Sequence, residues 1–393
     1  MTSYLVVAGL LLVLAIFALR SPSRSLALCA TFLAGGFIAL RYQLGYDWLA
    51  YERLFEEVPT LWGQADGLLH YEFEAGDTTY SLDVETIFLW LAQTVKSLGG
   101  TVEALFALVS IFNIWVIHVV SRRMAPGSVP LVWLIYFCLA AIAIQMNVIR
   151  QALASSFVLL GLLNVGGGRV VVAAALMLFG AAFHISTVMF WPLLLIGIRR
   201  PSRTIAAIVL CVGVAALVLG VDLFQATVEQ VASVVPGRLA EKLAYYENMK
   251  PAAISMGAAL LISWHVAVLL VLYRHDPADR FVNVGLWLTL YMLGAHLFFS
   301  AYPTVWTRVL AVALPWQVAA IWRSEPFTAQ DIWFRGTVVA GIGALGIVGL
   351  AYQLNRPEYE PFVPYHSLVQ VWLGDEGDGR TRSEQAIIDS WYY

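Results

Sequence analysis

The chain has 393 residues, of which 60% are hydrophobic and 12% are charged, and its formal net charge is −3. Soluble domains carry roughly 25% charged residues, so this composition excludes an ordinary soluble protein. The small negative charge gives no reason to expect a nucleic-acid partner. All three cysteines lie within apolar runs, which indicates neither a disulfide framework nor a metal site: they are Cys29, Cys138 and Cys211.

Apolar runs recur from Leu5 to Ala351, and many approach the roughly 20 residues that a helix needs to cross a bilayer. Residues 170–198 are predicted to form two short helices hinged near His184, and residues 85–98 a re-entrant or interfacial helix. The sequence predicts an all-α polytopic integral membrane protein with about 12 transmembrane helices. The other ten predicted helices lie near residues 4–19, 26–40, 102–120, 130–146, 149–165, 204–221, 254–273, 281–299, 308–322 and 336–354.

Short arginine-rich loops separate many of these helices, and such loops usually face the cytoplasm. If all of them are inside, three polar stretches lie outside: 41–84, 222–250 and 355–393. We therefore expect a single transmembrane catalytic domain over residues 1–354, with 41–84 and 222–250 as external loops, and an external acidic tail over 355–393. An apolar stripe within 222–250 predicts a helix lying at the membrane interface. The six arginine-rich loops are residues 20–24, 122–123, 166–169, 199–203, 274–280 and 323–335.

Ionisable side chains at the external boundary are the first candidates for a functional site, because a charge at membrane depth is costly. Arg41 and Asp47 open the first external loop. Asn147, Arg150 and Gln151 lie between two apolar helices with no glycine or proline to make an ordinary loop. Arg150 thus has no evident partner in the sequence, and the alternative for it is a side chain that snorkels to the interface.

Four further side chains have both a functional and a structural interpretation. His184 lies at the predicted hinge and is either a reacting group or a hydrogen-bonded structural histidine. Arg308, predicted at the start of a helix, either binds substrate or anchors that helix in the interface, and Tyr51 either joins the site or belongs to the aromatic belt. Glu85 begins the re-entrant segment and either joins the site or serves as a helix N-terminal acid.

Together these residue types indicate a lipid-handling enzyme. Arginines suit a phosphate or diphosphate at the head-group level, a base suits the deprotonation of an alcohol, and a groove between helices suits a prenyl tail. The sequence has no His-Glu-x-x-His motif, cysteine pair or other spacing typical of metal ligands.

Short motifs that follow one another along the chain resemble the EpsG family of Wzy-like polysaccharide polymerases. Their order and spacing hold from about Arg41 to Tyr365, whereas the long 41–84 loop and the final acidic tail depart from the family pattern. The motifs are Arg41-Tyr42 with Gly45-Tyr46-Asp47 and Tyr51, a short helix starting at Glu85, Ile149-Arg150-Gln151-Ala152-Leu153-Ala154, Phe183-His184-Ile185-Ser186, and Val363-Pro364-Tyr365.

The resemblance implies a bacterial inner-membrane enzyme that joins oligosaccharide repeat units carried on undecaprenyl diphosphate, with its active site facing the periplasm or exterior. It implies a fold similar to GT-C-type glycosyltransferases and no metal, nucleotide sugar or other cofactor. The implied partners are a lipid-linked glycan donor and acceptor, the bilayer, a chain-length regulator and a flippase.

The resemblance also implies roles for the site residues. Arg150 and Arg308, together with Arg41, would bind the diphosphate, and either Asp47 or His184 would be the general base. Asp47 is favoured because Arg41 precedes it closely and can keep it ionised. The other implied substrate-binding residues are Asn147, Gln151, Glu85, Tyr51 and Tyr365, and the candidate surfaces for stacking of sugar rings are Trp48, Trp62, Tyr71 and Tyr80.

Two other classes of membrane protein remain open. A flippase for lipid-linked oligosaccharides should show internal repeats and charged residues along both halves of a pathway, and no convincing repeat is present. A membrane acyltransferase that modifies an exported glycan would also use a histidine, but it has less need of several external arginines.

Overall fold

The computed structural model describes residues 1–62, 70–75, 78–196, 199–219, 256–299, 303–324, 327, 330–375 and 377–391. Within these ranges the chain is a bundle of α-helices with one short β-hairpin. All ten helices predicted from the apolar runs are found, each within a few residues of its predicted ends. The predicted interfacial helix of 222–250 lies outside the described residues.

In chain order the elements are α1 Thr2–Arg20, α2 Arg24–Ala39, α3 Asp47–Glu57, β1 His70–Ala75, β2 Thr78–Asp83, α4 Thr86–Ser97, α5 Val102–Met124, α6 Val129–Tyr136, α7 Ile149–Gly166, α8 Val170–Phe183, α9 Pro192–Ile196, α10 Arg203–Val218, α11 Met256–Leu272, α12 Arg280–Phe298, α13 Pro303–Arg323, α14 Ile332–Leu354, α15 Leu368–Trp372 and α16 Gly379–Trp391. A π-helix over Phe137–Gln145 continues α6. Several helices begin where a side-chain oxygen accepts a hydrogen bond from a first-turn N–H, as Ser23 does for α2, Thr101 for α5 and Asp331 for α14.

The polar loop of residues 41–84, predicted to be external, has more structure than the sequence analysis predicted. It contains the amphipathic helix α3, which buries Trp48, Tyr51 and Leu54, and an antiparallel hairpin of β1 and β2. The hairpin is an addition to an otherwise helical chain, so the prediction of an all-α fold holds for the bundle.

The predicted hinge at His184 is confirmed. Helix α8 ends at Phe183, and His184 has an extended backbone. Its Nδ1 accepts a hydrogen bond of 3.2 Å from the Ser186 N–H, which caps a 3₁₀ turn over Ile185–Phe190. The His184 side chain therefore serves as the N-cap of the 3₁₀ turn that follows the hinge.

Six of the described helical segments are long and apolar enough to cross a membrane on their own. Other predicted crossings fall on shorter apolar helices, so the count of about 12 stays a prediction. Helix α4 has 12 residues, or roughly 18 Å, and is too short for a hydrocarbon core of about 30 Å. The six long segments are Thr2–Arg20, Val102–Met124, Pro126–Gln145, Ile149–Gly166, Arg280–Phe298 and Ile332–Leu354.

The arginine-rich loops meet at one end of the bundle. Arg323 donates to the Met124 carbonyl at 2.8 Å and pairs with Asp279 at 2.6 Å. Arg200 donates to the His275 carbonyl at 2.8 Å. The 20–24 and 166–169 loops join this end, where Gly127 lies against Pro22 and Trp322 and Gly168 lies against Arg280. The candidate site residues lie at the other end.

This arrangement makes a topology prediction. If the arginine-rich end is cytoplasmic, reporters fused after Arg123 or Arg203 should report inside, and reporters fused after Gly76 or at Tyr393 should report outside. Paired alkaline phosphatase and green fluorescent protein fusions measure this directly. An inside result at Tyr393 would contradict the predicted orientation of the segments that follow Arg203.

Two apolar cores position the site. The larger core runs through α1, α6, α7, α12 and α13, with Trp133 and Trp316 among its fully buried side chains. The smaller core packs α3 and α4 against α5 and the first turns of α7 and is built around Tyr51 and Phe88. Arg150 is the second residue of α7, a helix that contributes to both cores.

Candidate functional site

Asp47 begins α3, and Asn147 holds that helix end. The Oδ1 atom of Asn147 accepts hydrogen bonds from the N–H groups of Tyr46 at 2.8 Å and Asp47 at 3.1 Å. Tyr46, the N-cap residue, makes no side-chain cap of its own. A side chain from the loop before α7 thus satisfies orphan N–H groups at the start of α3. Asn147 thereby fixes the position of the backbone that carries the Asp47 side chain.

The turn before α3 requires glycine at position 45. Gly45 has a φ of +97°, and a Cβ there would lie 2.8 Å from Asn147 Oδ1 and 3.0 Å from the Phe362 ring. The backbone can therefore approach both groups only without a side chain.

Gly45→Ala should lower both thermal stability and activity, because it strains the turn and displaces the Asn147 cap. Gly36→Ala is the matched control, since Gly36 lies inside α2 and a Cβ there would meet nothing within 4 Å. The control should keep or slightly raise the melting temperature. Equal melting temperatures for the two variants would contradict this account of the turn.

Arg150 is paired, and the expectation that it lacks a partner is wrong. Its Nη1 lies 2.6 Å from Glu85 Oε2, and its Nε donates to the Tyr51 hydroxyl at 3.2 Å. The guanidinium also lies over the Tyr51 ring, 5.8 Å from its centroid. The residue is 9% exposed, so it does not snorkel. Sequence spacing cannot reveal this pair, because the two charges are 65 residues apart and on different helices.

Glu85 and Tyr51 are therefore part of the site. Glu85 is the N-cap residue of α4 but makes no side-chain cap bond, so its carboxylate serves Arg150 instead. Burial raises the pKa of Tyr51 to about 12, with Arg150 acting in the opposite direction. Tyr51 is consequently a neutral hydroxyl at physiological pH and not merely a residue of the aromatic belt.

Two arginines act on Asp47, and they are Arg150 and Arg308. Burial raises the pKa of the Asp47 carboxyl, while the charges of Arg150 and Arg308 lower it. Arg308 lies in the second turn of α13, not at its start, since that helix begins at Pro303. Among the described residues its guanidinium has no hydrogen bond or ion pair. Asp47 is therefore within electrostatic range of both Arg150 and Arg308.

Arg41 does not contact Asp47, and the expectation that it keeps Asp47 ionised is wrong. It is 4% exposed, and its Nη1 donates to the Ile38 carbonyl and to Ser110 Oγ, both at 2.9 Å. Burial lowers its pKa to about 10, so it stays charged at neutral pH. Arg41 fixes the end of α2 against α5, because the guanidinium replaces the amide that would have continued the helix.

Two other expected contacts with substrate have structural roles. The Tyr365 hydroxyl donates to the Phe37 carbonyl at 2.8 Å, and its ring stacks on Phe37 with centroids 3.7 Å apart. Trp48 is buried in α3, so it cannot stack on a sugar ring, whereas Trp62 is 89% exposed and stays a candidate. The side-chain contacts of Tyr71 and Tyr80, in the hairpin, lie outside the described part of the structure.

His184 and Gln151 remain candidates for contact with a substrate. His184 is partly exposed, at the end of α8 that packs against the first turns of α7. Its Nδ1 accepts the hydrogen bond from the Ser186 N–H. Gln151 is buried beside Arg150, and its amide has no hydrogen-bond partner among the residues that the structure describes. No group of three or more metal-binding side chains occurs in that same part of the chain.

A comparison with protein-family models matches residues 24–367 to the EpsG family. The match covers most of the chain. The chain belongs to the EpsG family. This is the family of Wzy-like polysaccharide polymerases, and membership supports a polymerase role in a multi-pass membrane protein. Searches of curated proteins and of solved structures returned no match.

The EpsG match contains every candidate site residue and ends before α16. The sequence analysis did not identify Lys96 as a residue that supports the site. The rarity of lysine was the available signal, since the chain has only three. Lys96 Nζ, on α4, donates to the carbonyls of Phe55 at 2.9 Å and of Glu56 and Val58 at 2.7 Å. These are C-terminal carbonyls of α3 that the helix itself leaves unpaired. In this EpsG-family chain α3 is therefore held at both ends, by Asn147 and by Lys96.

Proposed function

We propose that the protein polymerises lipid-linked oligosaccharides, transferring a glycan from undecaprenyl diphosphate to a sugar hydroxyl of another lipid-linked glycan. The observation that carries the proposal is that Arg150 donates at 3.2 Å to Tyr51, one helical turn after Asp47 on α3, in a chain of the EpsG family. The charges of Arg150 and Arg308 also act on the Asp47 carboxyl. The donor would lie with its prenyl tail among the helices and its diphosphate at the arginines. By this proposal the site faces the exterior of the bacterial inner membrane, within a GT-C-like fold.

Arg150 and Arg308 would bind the diphosphate. As the bond from the anomeric carbon to the diphosphate oxygen breaks, its electron pair stays on that oxygen, and the charge grows next to the guanidinium groups. Preorganised donors of this kind are worth roughly 3 kcal/mol each. Glu85 orients Arg150 through the 2.6 Å contact. Tyr51 makes no hydrogen bond in the described chain except with Arg150, so its O–H proton is available to a phosphate oxygen.

Asp47 would be the general base. The acceptor hydroxyl attacks the anomeric carbon and gives its proton to the Asp47 carboxylate. A carboxyl whose pKa is raised by burial is a better base than an exposed one, and Arg150 and Arg308 keep it ionised. Gln151, whose amide has no hydrogen-bond partner among the described residues, would contact the diphosphate, and His184 would bind the glycan.

The test is extension of a defined undecaprenyl diphosphate oligosaccharide by the purified protein in detergent. A ladder of products spaced by one repeat unit is expected. A flippase would produce no new bond in detergent, and an acyltransferase would need an acyl donor. Absence of the ladder with folded protein and a native repeat unit would reject the proposal.

A further inference from the structure

The tail helix α16 packs against α3, the helix that carries Asp47. Ser383 is fully buried; its hydroxyl donates to the Gly45 carbonyl at 2.8 Å and accepts from Trp48 Nε1 at 2.9 Å. One hydroxyl thus joins Gly45, in the turn before α3, to Trp48, the residue after Asp47.

An ion pair adds a second contact along the same face. Arg380 Nη2 lies 2.5 Å from Glu52 Oε2, and its guanidinium lies 5.5 Å from the centre of the Trp48 ring. Glu52 is the more buried partner, with 15% of its side chain exposed against 46% for Arg380. Burial raises the pKa of Glu52, and the charge and hydrogen bond of Arg380 offset part of that rise.

The start of α16 is in close contact with the turn before α3. A Cβ at Gly379 would collide with the Gln43 carbonyl. The preceding tail is hydrogen-bonded to the same turn, through Gly45 N–H to the Pro361 carbonyl at 3.2 Å and Tyr42 N–H to the His366 carbonyl at 3.0 Å. The tail therefore encloses the turn that leads into the site.

We propose that α16 is a positioning element of the catalytic unit, which holds Asp47 in place through Ser383 and Arg380. The family match ends at residue 367, so α16 is a feature of this chain beyond the matched region. Asn147 and Lys96 bind the two ends of α3, and α16 contacts the face of α3 that carries Trp48 and Glu52. The tail thus belongs functionally with residues 1–354. This inference rests on the proposed function only for its effect on rate.

Ser383→Ala and Arg380→Glu, each in the full-length protein, test the proposal with two readouts. Hydrogen–deuterium exchange should increase in the peptide covering 47–57, while the peptides of α7 and α13 keep their protection. In the extension assay kcat should fall at least about tenfold. The donor KM should change less than kcat, because Arg150 and Arg308 lie on α7 and α13 and, of the proposed diphosphate contacts, only Tyr51 lies on α3.

Two further variants separate positioning from general damage. Thr381→Ala removes an exposed hydroxyl from the same helix and should match the wild type in both readouts. Glu52→Arg combined with Arg380→Glu reverses the ion pair and should recover most of the protection and kcat that Arg380→Glu loses.

Each readout can overturn the proposal. Unchanged exchange of 47–57 in both variants would show that α16 does not hold α3, whatever reaction the protein performs. Increased exchange with unchanged kcat would show that α16 stabilises α3 without positioning Asp47. An inactive wild type would reject the proposed polymerisation. The exchange data would still show whether α16 holds α3 in place.

Discussion

Asp47→Asn should abolish polymer formation while leaving the protein folded. A positioned general base contributes about 10²- to 10⁴-fold in rate, so the extension rate should fall within that range. Burial disfavours the ionised carboxylate, so the neutral isostere should fold at least as well as the wild type. The measurement is the initial rate of chain extension at matched amounts of folded protein. Glu56→Gln, an exposed acid on the same helix, is the control and should keep full activity.

The pH profile separates the two candidate bases. The base works when deprotonated, so the rate should fall as pH drops through the pKa of Asp47. Burial raises that pKa, so the fall should begin above the pH expected of an ordinary carboxyl near about 4. His184→Gln should keep the same profile if Asp47 is the base. Loss of all activity in His184→Gln, with Asp47→Asn active, would assign the base to His184 instead.

Arg150→Ala should reduce extension by roughly 10²- to 10³-fold, because it removes a donor to the growing negative charge. Arg150→Lys should recover little, since an ammonium cannot reproduce the planar fork of donors that reaches both Glu85 and Tyr51. The measurement is kcat with the lipid-linked donor, at matched protein levels.

A second variant excludes a purely structural role for Arg150. Removing it leaves Glu85 partly buried without its partner, which also destabilises the protein. Arg150→Ala with Glu85→Gln removes that charge and should recover the melting temperature but not the activity. Recovery of both stability and activity in the double variant would contradict the assignment of Arg150 to the diphosphate.

Much of the fold could be predicted because a bilayer imposes simple requirements. Apolar runs located the ten predicted helices, and the length of 170–198 together with His184 located the hinge. Polar residues at the ends of apolar runs also drew attention to Asp47, Arg150 and Arg308, because charge at membrane depth is costly without a function. These predictions depend only on local composition, which can be read from a single sequence.

The contacts that orient the site could not be predicted, because each joins distant parts of the chain. Glu85 neutralises Arg150 from another helix, and Ser383 reaches Trp48 across 335 residues. For Arg41 the sequence predicted a contact that the structure lacks. It is close to Asp47 in sequence, yet its guanidinium points back to Ile38 and Ser110. Short spacing predicts contact within a helix, but a glycine turn separates these two residues.

The most direct measurement of the central claim is the number of undecaprenyl diphosphate molecules released for each new glycosidic bond. Purified protein would extend a defined lipid-linked repeat unit, with the released lipid and the lengthened glycan quantified in the same reaction. The proposed transfer predicts one released lipid diphosphate per bond for the wild type and neither product for Asp47→Asn. Glycan growth without release of the lipid diphosphate, or equal release by Asp47→Asn, would contradict it.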